Sequence, residues 1–284
     1  MLCRLCETKL PRGSLRCTNP KCKAWNVAFE TADEPTVLLS DARLRVVERF
    51  ETGLVDVCFG GGIPRTGVTL LGGDPGAGKT TLCLQIADLF GLREGKEVLY
   101  IANEQEAEEL LETAVRIRLQ AKEKIRVVRG MGGIREDLGD LILQFAPCAI
   151  ILDSVTKWSG DDLRVAVTLC QRLKDYTVRL RAPSIVINQV TKDGDHAGLN
   201  QMQHAVDCTM LFYVDDDPRE RRCLYTRKNR FGPAPVMQFF EMTPHGLIPS
   251  PDEESHDAAR PPSQSHDGDG DFDDDEVGLD DRPH

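Results

Sequence analysis

Between Gly67 and Gln189 short apolar runs alternate with amphipathic stretches, the order expected of strands followed by helices. "GVTLLGG" is a strand-length apolar run closed by glycines, and "KTTLCLQIADLF" after it carries apolar residues at helical spacing. "EVLYIA" predicts a second strand; Ala107, Leu110, Leu111 and Ala114 then recur at intervals of three and four, one face of a helix. "IRVVR" predicts the next strand and residues 134–145 the next helix. "CAIILD" is an unbroken apolar run ending on a carboxylate, and a helix carrying Leu163, Ala166, Cys170, Leu173 and Leu180 on one stripe follows it. "PSIVINQ" is a further buried strand. Strands that are apolar at every position are covered on both faces, as in a parallel sheet wrapped by helices. "CTMLFYV", "CLYTRK" and "VMQFFEM" lack intervening helices and predict an antiparallel addition.

Charge divides the chain unevenly. The formal net charge of the 284 residues is -11, but residues 251–284 alone hold 13 Asp/Glu against 2 Arg. The rest is neutral, so the tail carries the whole imbalance; rich in Asp, Ser, Pro and Gly, it cannot bury enough apolar surface to fold. It is either a solubilising segment or a competitor for a basic nucleic-acid groove. No stretch of about 18 apolar residues predicts a membrane span, and no apolar leader is visible, so a cytoplasmic location is expected.

The ten cysteines fall into two groups. Cys58, Cys83, Cys148, Cys170, Cys208 and Cys223 are scattered in apolar surroundings and predict small buried side chains. Cys3, Cys6, Cys17 and Cys22 are clustered as C-x2-C and C-x4-C, which predicts four thiolates around a Zn²⁺ ion in a module of residues 1–30. So short a module lacks a hydrophobic core, and the metal would supply its folding energy.

"GDPGAGKT" matches G-x4-G-K-[ST] in full, with the required strand before it and helix after it. Gly73, Asp74, Pro75, Gly76, Ala77 and Gly78 form a loop whose backbone N–H groups close around phosphates, with Lys79, Thr80 and Thr81 opening the helix. Lys79 is expected to reach the β- and γ-phosphates of ATP, and the Thr80 hydroxyl to ligate Mg²⁺. Asp153, ending "CAIILD", is placed to hold Mg²⁺. Glu104 ends its strand as a general base for water or as a cap for the following helix. Ligands bind at the carboxyl edge of such sheets, so Lys79, Glu104, Asp153 and Gln189 are expected to converge.

The series "GGGIPRTGVTLLGGDPGAGKTTL", "YIANEQE", "IILDS", "NQVTKDGDHAG", "QHAVDCTMLFY", "RKNRFG" and "FFEMTPHGL", with the cysteine module ending in "CKAWN", resembles the bacterial RadA/Sms family of RecA-like DNA repair ATPases over residues 1–249. The resemblance implies an α/β fold: a zinc-ribbon module at 1–30, a linker at 31–50, a RecA-like P-loop core at 51–250, mostly a parallel sheet with helices on both faces, and a disordered acidic tail at 251–284. It implies a hexameric ring on single-stranded or branched DNA, ATP-driven work on recombination intermediates such as branch migration, and recombinase or helicase partners.

By motif matching, Glu104 is the catalytic carboxylate, Asp153 the Mg²⁺ acid and Gln189 the γ-phosphate sensor, where the family usually has His. Lys192 is a DNA contact in a loop at 191–200. Lys228 and Arg230 are cations given to a neighbouring subunit's nucleotide, on a turn shaped by Asn229, Phe231 and Gly232. Two further departures are the C-x4-C spacing and the acidic tail standing where the family has a Lon-protease-like domain, which implies a shortened form. The alternative functions are a KaiC-like signalling ATPase that binds protein partners and a zinc-ribbon adaptor whose ATPase is an assembly switch.

Overall fold

The structure, a computed structural model, describes residues 46–129, 138–188, 196–215 and 220–250, with the short stretches 2–3, 8–10, 17–20 and 28–29. In the N-terminal stretches, β1 (Leu2–Cys3) pairs antiparallel with β2 (Ala28–Phe29). The core opens with β3 (Arg49–Phe50), α1 (Asp56–Phe59) and β4 (Ile63–Pro64). Then come β5 (Val68–Gly73), α2 (Lys79–Glu94), β6 (Val98–Ala102), α3 (Ala107–Arg116) and β7 (Ile125–Arg129). α4 (Leu138–Phe145), β8 (Ala149–Asp153), α5 (Val155–Ser159), α6 (Leu163–Leu180) and β9 (Ser184–Ile187) continue the alternation. α7 (His196–Ala205), β10 (Cys208–Val214), β11 (Arg222–Asn229), β12 (Val236–Thr243) and β13 (Gly246–Pro249) complete it.

One sheet holds nine strands in the order β13-β12-β11-β10-β5-β9-β8-β6-β7. The six from β10 to β7 run parallel, and β11, β12 and β13 extend the β10 edge in antiparallel fashion. Along β6, Val98, Tyr100 and Ala102 join the core beneath α2 and α3, whereas Leu99 and Ile101 join the core beneath α4 and α6. β8 alternates likewise, Ala149 and Ile151 against Ile150 and Leu152. Fully burying one such side chain contributes about 1.5–3 kcal/mol, so a sheet apolar at every position is stable only with helices on both faces. This is the RecA-like arrangement expected from the sequence.

Three local features differ from that expectation. Phe50, assigned to the linker, belongs to the core: it is 3% exposed and stacks on Phe90 with ring centroids 3.9 Å apart. β13 is an additional edge strand, bonded to β12 from Phe240 to Thr243. Residues 196–200, assigned to a loop, form the first turns of α7, and residues 191–195 lie outside the described residues. The helix expected over 134–145 is described as α4 from Leu138 to Phe145, and 134–137 likewise lie outside the described residues. Cys58, Cys83, Cys148, Cys170, Cys208 and Cys223 are buried as expected. Burial pushes the Cys58, Cys170 and Cys208 thiols up to about 12 and those of Cys148 and Cys223 to about 11, which leaves them unreactive.

Candidate functional site

The carboxyl edge of the parallel strands carries the site. Register places Ala102 beside Asp153, Asp153 beside Ile187, and Ile187 beside Leu71, so β6, β8, β9 and β5 end at one level. The chain leaves β5 through the loop 73–78 and enters α2 at Lys79. Gly73 is required there: its φ is +137°, and a Cβ would lie 1.8 Å from the Phe212 carbonyl oxygen. The Lys79 ammonium, 8% exposed, donates to the carbonyls of Gly73 (2.7 Å) and Asp74 (2.8 Å). Burial holds it below its ordinary value, against the attraction of Asp153, Asp74 and Glu104. It is a cation resting on weak acceptors, ready to exchange them for phosphate oxygens. Thr81 is buried one residue past Thr80.

Asp153 Oδ2 accepts two hydroxyls, from Thr80 at 2.9 Å and from Tyr100 at 2.9 Å. Tyr100 is fully buried and supplies the only hydroxyl in the otherwise apolar run of β6. Burial raises the Asp153 carboxyl above its ordinary 3.8; the Tyr100 and Thr80 hydroxyls oppose this, and Glu104 adds to it. A buried carboxylate next to a threonine hydroxyl in the first turn of α2 offers the hard oxygen donors that Mg²⁺ takes. Thr80 and Asp153 therefore fit the ion implied by the motif.

The raised value has a consequence for stability. The folded state binds this proton more tightly than the unfolded chain does, so the contribution favours folding below pH 3.8. It is lost as pH rises through the folded value, and at neutral pH the ionised group is a cost. Asp153→Asn is expected to melt at higher temperature than the unchanged protein without nucleotide, by an increment of about 0.5–2 kcal/mol, while losing hydrolysis. Thermal melts at pH 7 and pH 3.5 check this, since the gain should vanish at the acid value.

Glu104 is exposed, and its carboxylate accepts a hydrogen bond from the hydroxyl of Ser154, which is fully buried. Asn103 ties the two strand ends together: its N–H donates to the Asp153 carbonyl at 2.6 Å and its side-chain amide to the Ser154 carbonyl at 3.3 Å. Glu104 does not cap α3. Glu106 does, in a capping box with Glu109. Of the two roles left open by the sequence, the capping one is therefore filled by another residue. Lys79, Thr80, Glu104 and Asp153 converge; Gln189, two residues past β9, lies outside the described residues, as does Lys192. Asn188, just before Gln189, accepts the Thr156 hydroxyl at 2.8 Å, a tie between the β8 and β9 ends that sequence reasoning missed.

Lys228 and Arg230 stand at the opposite edge. Asn229 pairs with Cys208 and Cys208 with Thr69, whereas the phosphate loop starts at Gly73, beside Phe212. Four residues at about 3.3 Å each separate the two levels by about 13 Å along the strands. The turn is built as expected: Asn229 Oδ1 accepts the Phe231 N–H at 2.9 Å, and its amide donates to the Phe59 carbonyl at 3.3 Å. A Cβ on Gly232 would sit 2.9 Å from that same carbonyl, so the turn admits glycine. The Lys228 ammonium donates to the carbonyls of Gln203 (2.5 Å) and Val206 (2.8 Å), capping the end of α7. Arg230 is half-exposed and lies 3.4 Å from Asp207.

Of the clustered cysteines, Cys17 is buried and its sulfur accepts the Asn19 N–H at 3.4 Å; Cys3 lies in β1, and Cys6 and Cys22 are outside the described residues. Among the described residues no group of three or more His, Cys, Asp or Glu is arranged to hold a metal. No described helix is long and apolar enough to cross a membrane.

Comparison with known proteins gives one consistent picture. A family model described as the KaiC ATPase matches residues 50–126. The DNA repair protein RadA of Salmonella typhimurium is 30% identical over 280 residues, 87% of this chain and 58% of its own length. RadA of Haemophilus influenzae is 28% identical over 274 residues and RadA of Aquifex aeolicus 29% over 272. The chain thus spans 58% to 60% of the length of these relatives. Among solved structures, the KaiC-like protein PH0186 of Pyrococcus horikoshii superposes with a TM-score of 0.62 at 18% identity, covering 72% of this chain and all of that one.

Proposed function

This chain belongs to the RadA family, and from that premise we propose that it is a DNA-stimulated ATPase of repair and recombination. It would work on single-stranded or branched intermediates as a homo-oligomeric ring in the cytoplasm. The observation that carries the reading is the meeting of Lys79, Thr80, Asp153 and Glu104 at one strand edge, in a chain aligned along most of its length with DNA repair proteins. Bound ATP takes the backbone N–H groups of the loop around its β-phosphate, and Lys79 moves from the loop carbonyls to the β- and γ-phosphate oxygens. Thr80 and Asp153 would hold the Mg²⁺ ion, which would supply positive charge against the phosphates. Glu104, oriented by the Ser154 hydroxyl, accepts a proton from the water whose oxygen attacks the γ-phosphorus, and the bond to the β-phosphate oxygen breaks.

On this reading the open side of the γ-phosphate takes its cation from a neighbouring subunit. Arg230 supplies it from the neighbour. Two facts support this: Arg230 stands about 13 Å from its own phosphate loop along the strands, and it is half-exposed on the opposite sheet edge. Lys228 stands beside it and gives two of its protons to α7, so it serves mainly to hold the α7 end against the turn. Gln189 and Lys192 remain the candidates for the γ-phosphate sensor and the DNA contact.

The test is ATP turnover with and without single-stranded DNA. A several-fold rise that fades with added salt is expected, because phosphate contacts release counterions. Turnover indifferent to every nucleic acid would instead favour a KaiC-like signalling ATPase. A bound Zn²⁺ on Cys3, Cys6, Cys17 and Cys22 belongs to the same proposal, supported by their spacing and by the N–H···S bond at Cys17. Metal analysis of the purified protein should give one zinc per chain, lost in Cys17→Ser with Cys22→Ser; absence of zinc would refute this part.

A further inference from the structure

Asp207 is a buried carboxylate shared by cations from distant parts of the chain. It is 3% exposed. One oxygen accepts the Val68 N–H at 3.2 Å, and the main chain bonds it to Val68 (2.9 Å) and to the Arg230 N–H (3.0 Å), fixing it beneath the phosphate-loop strand. The other oxygen faces two cations: the Lys174 ammonium of α6 at 2.5 Å and the Arg230 guanidinium at 3.4 Å. Lys228 belongs to the same crowd. Its ammonium is held below its ordinary value, first by burial and then by the like charge of Arg230, with Lys174 adding a smaller push.

Resting on the reading of Arg230 as a cation given to the neighbouring subunit, we propose that Lys174 is a positioning residue: it neutralises Asp207 permanently, so that Arg230 is free to leave for the neighbour's nucleotide. The physics is that of a shared counter-ion. Removing the sole partner of a buried carboxylate strands its charge, a cost that breaks few contacts willingly. Were Arg230 the only cation on Asp207, it would be locked at the sheet edge. With Lys174 in the shorter contact, Arg230 holds the weaker of the two, and repulsion from Lys174 and Lys228 favours its departure. Arg230 is also the more exposed partner, 50% against 36% for Lys174.

The experiment is steady-state ATP hydrolysis by the full chain in its assembled form, on four variants compared with the unchanged protein. Lys174→Gln should lower kcat at least about tenfold, an increment well below the cost of stranding a buried carboxylate. KM for ATP should stay unchanged, because the phosphate loop is untouched. Lys174→Arg should keep the rate, since a cation remains on Asp207. Adding Asp207→Asn to Lys174→Gln should restore turnover, because no carboxylate is left to hold Arg230. If Lys174→Gln turns over normally while Arg230→Ala is inactive, this inference falls and the two-subunit site stands. If Lys174→Gln and Arg230→Ala both turn over normally, the two-subunit site falls with it. A folded double variant as slow as Lys174→Gln, or Lys174→Arg as slow as Lys174→Gln, would show a purely structural role and overturn the proposal. Should the double variant fail to fold, the contrast between the Gln and Arg replacements decides.

Discussion

Arg230→Ala should lower ATP turnover by about 10³-fold or more, the range seen when a cation is withdrawn from the transferring phosphoryl group, and leave ATP affinity nearly unchanged. On the proposed reading the two effects separate because ground-state binding falls to the loop and to Lys79, which rests on the loop carbonyls of the same chain, whereas charge develops on the γ-phosphate oxygens only in the transition state. In energy the loss is about 4 kcal/mol or more, and it falls on kcat; losing the contact with buried Asp207, which keeps Lys174 as a partner, would fall on stability instead. Where the loss falls is therefore diagnostic. The 3.4 Å contact with Asp207 could by itself make Arg230 a structural residue, and a structural residue would shift the melting temperature instead of kcat. Measuring kcat, the ATP dissociation constant and the melting temperature together distinguishes the two.

Glu104→Gln should bind ATP as tightly as the unchanged protein and hydrolyse it about 10²- to 10⁴-fold more slowly, the usual contribution of a positioned base. The amide keeps shape and can still accept the Ser154 hydroxyl, so only the proton-accepting capacity is removed. α3 should be unaffected, because its cap is Glu106. Lys79→Ala has a different signature, loss of ATP binding itself, since its ammonium is buried at the loop. Equilibrium nucleotide binding beside single-turnover hydrolysis separates these two losses. Wild-type turnover in Glu104→Gln would remove it from the chemistry.

Much of this was legible in the residues, for identifiable reasons. β5, β6, β8 and β9 are apolar at nearly every position, and such runs have few other destinations than a covered parallel sheet. The phosphate loop is contiguous, so its geometry is local and its motif complete. α7 escaped notice because "HAGLNQMQHA" carries no sustained apolar stripe; Met202 and Ala205 are its buried anchors. β13 is four residues long and is recognisable only through its pairing with β12.

The missed site residues share another cause. Tyr100 reads as one more large residue in a buried strand; only the packed sheet brings its hydroxyl to Asp153. Lys174 and Asp207 were not singled out; they and Arg230 are scattered over 57 positions, and topology alone gathers them. A faint signal existed at Asp207: a carboxylate just before the apolar run "CTMLFYV" starts a buried strand, where an acid needs a partner. Glu104 shows the converse, a residue the sequence singled out with two roles, of which the cap of α3 is filled by Glu106.

The central claim is that one catalytic site is assembled from two subunits, and mixing two inactive variants tests it most directly. Lys79→Ala lacks the phosphate lysine and Arg230→Ala lacks the neighbour's cation; each alone should be inactive. Mixed under conditions where subunit exchange has been demonstrated by labelling, they form some interfaces that join an intact Lys79 to an intact Arg230. ATP hydrolysis should then reappear, greatest near equal proportions. If Arg230 acts within its own chain, no mixture contains a complete site, and activity absent at every ratio despite proven exchange would contradict the account.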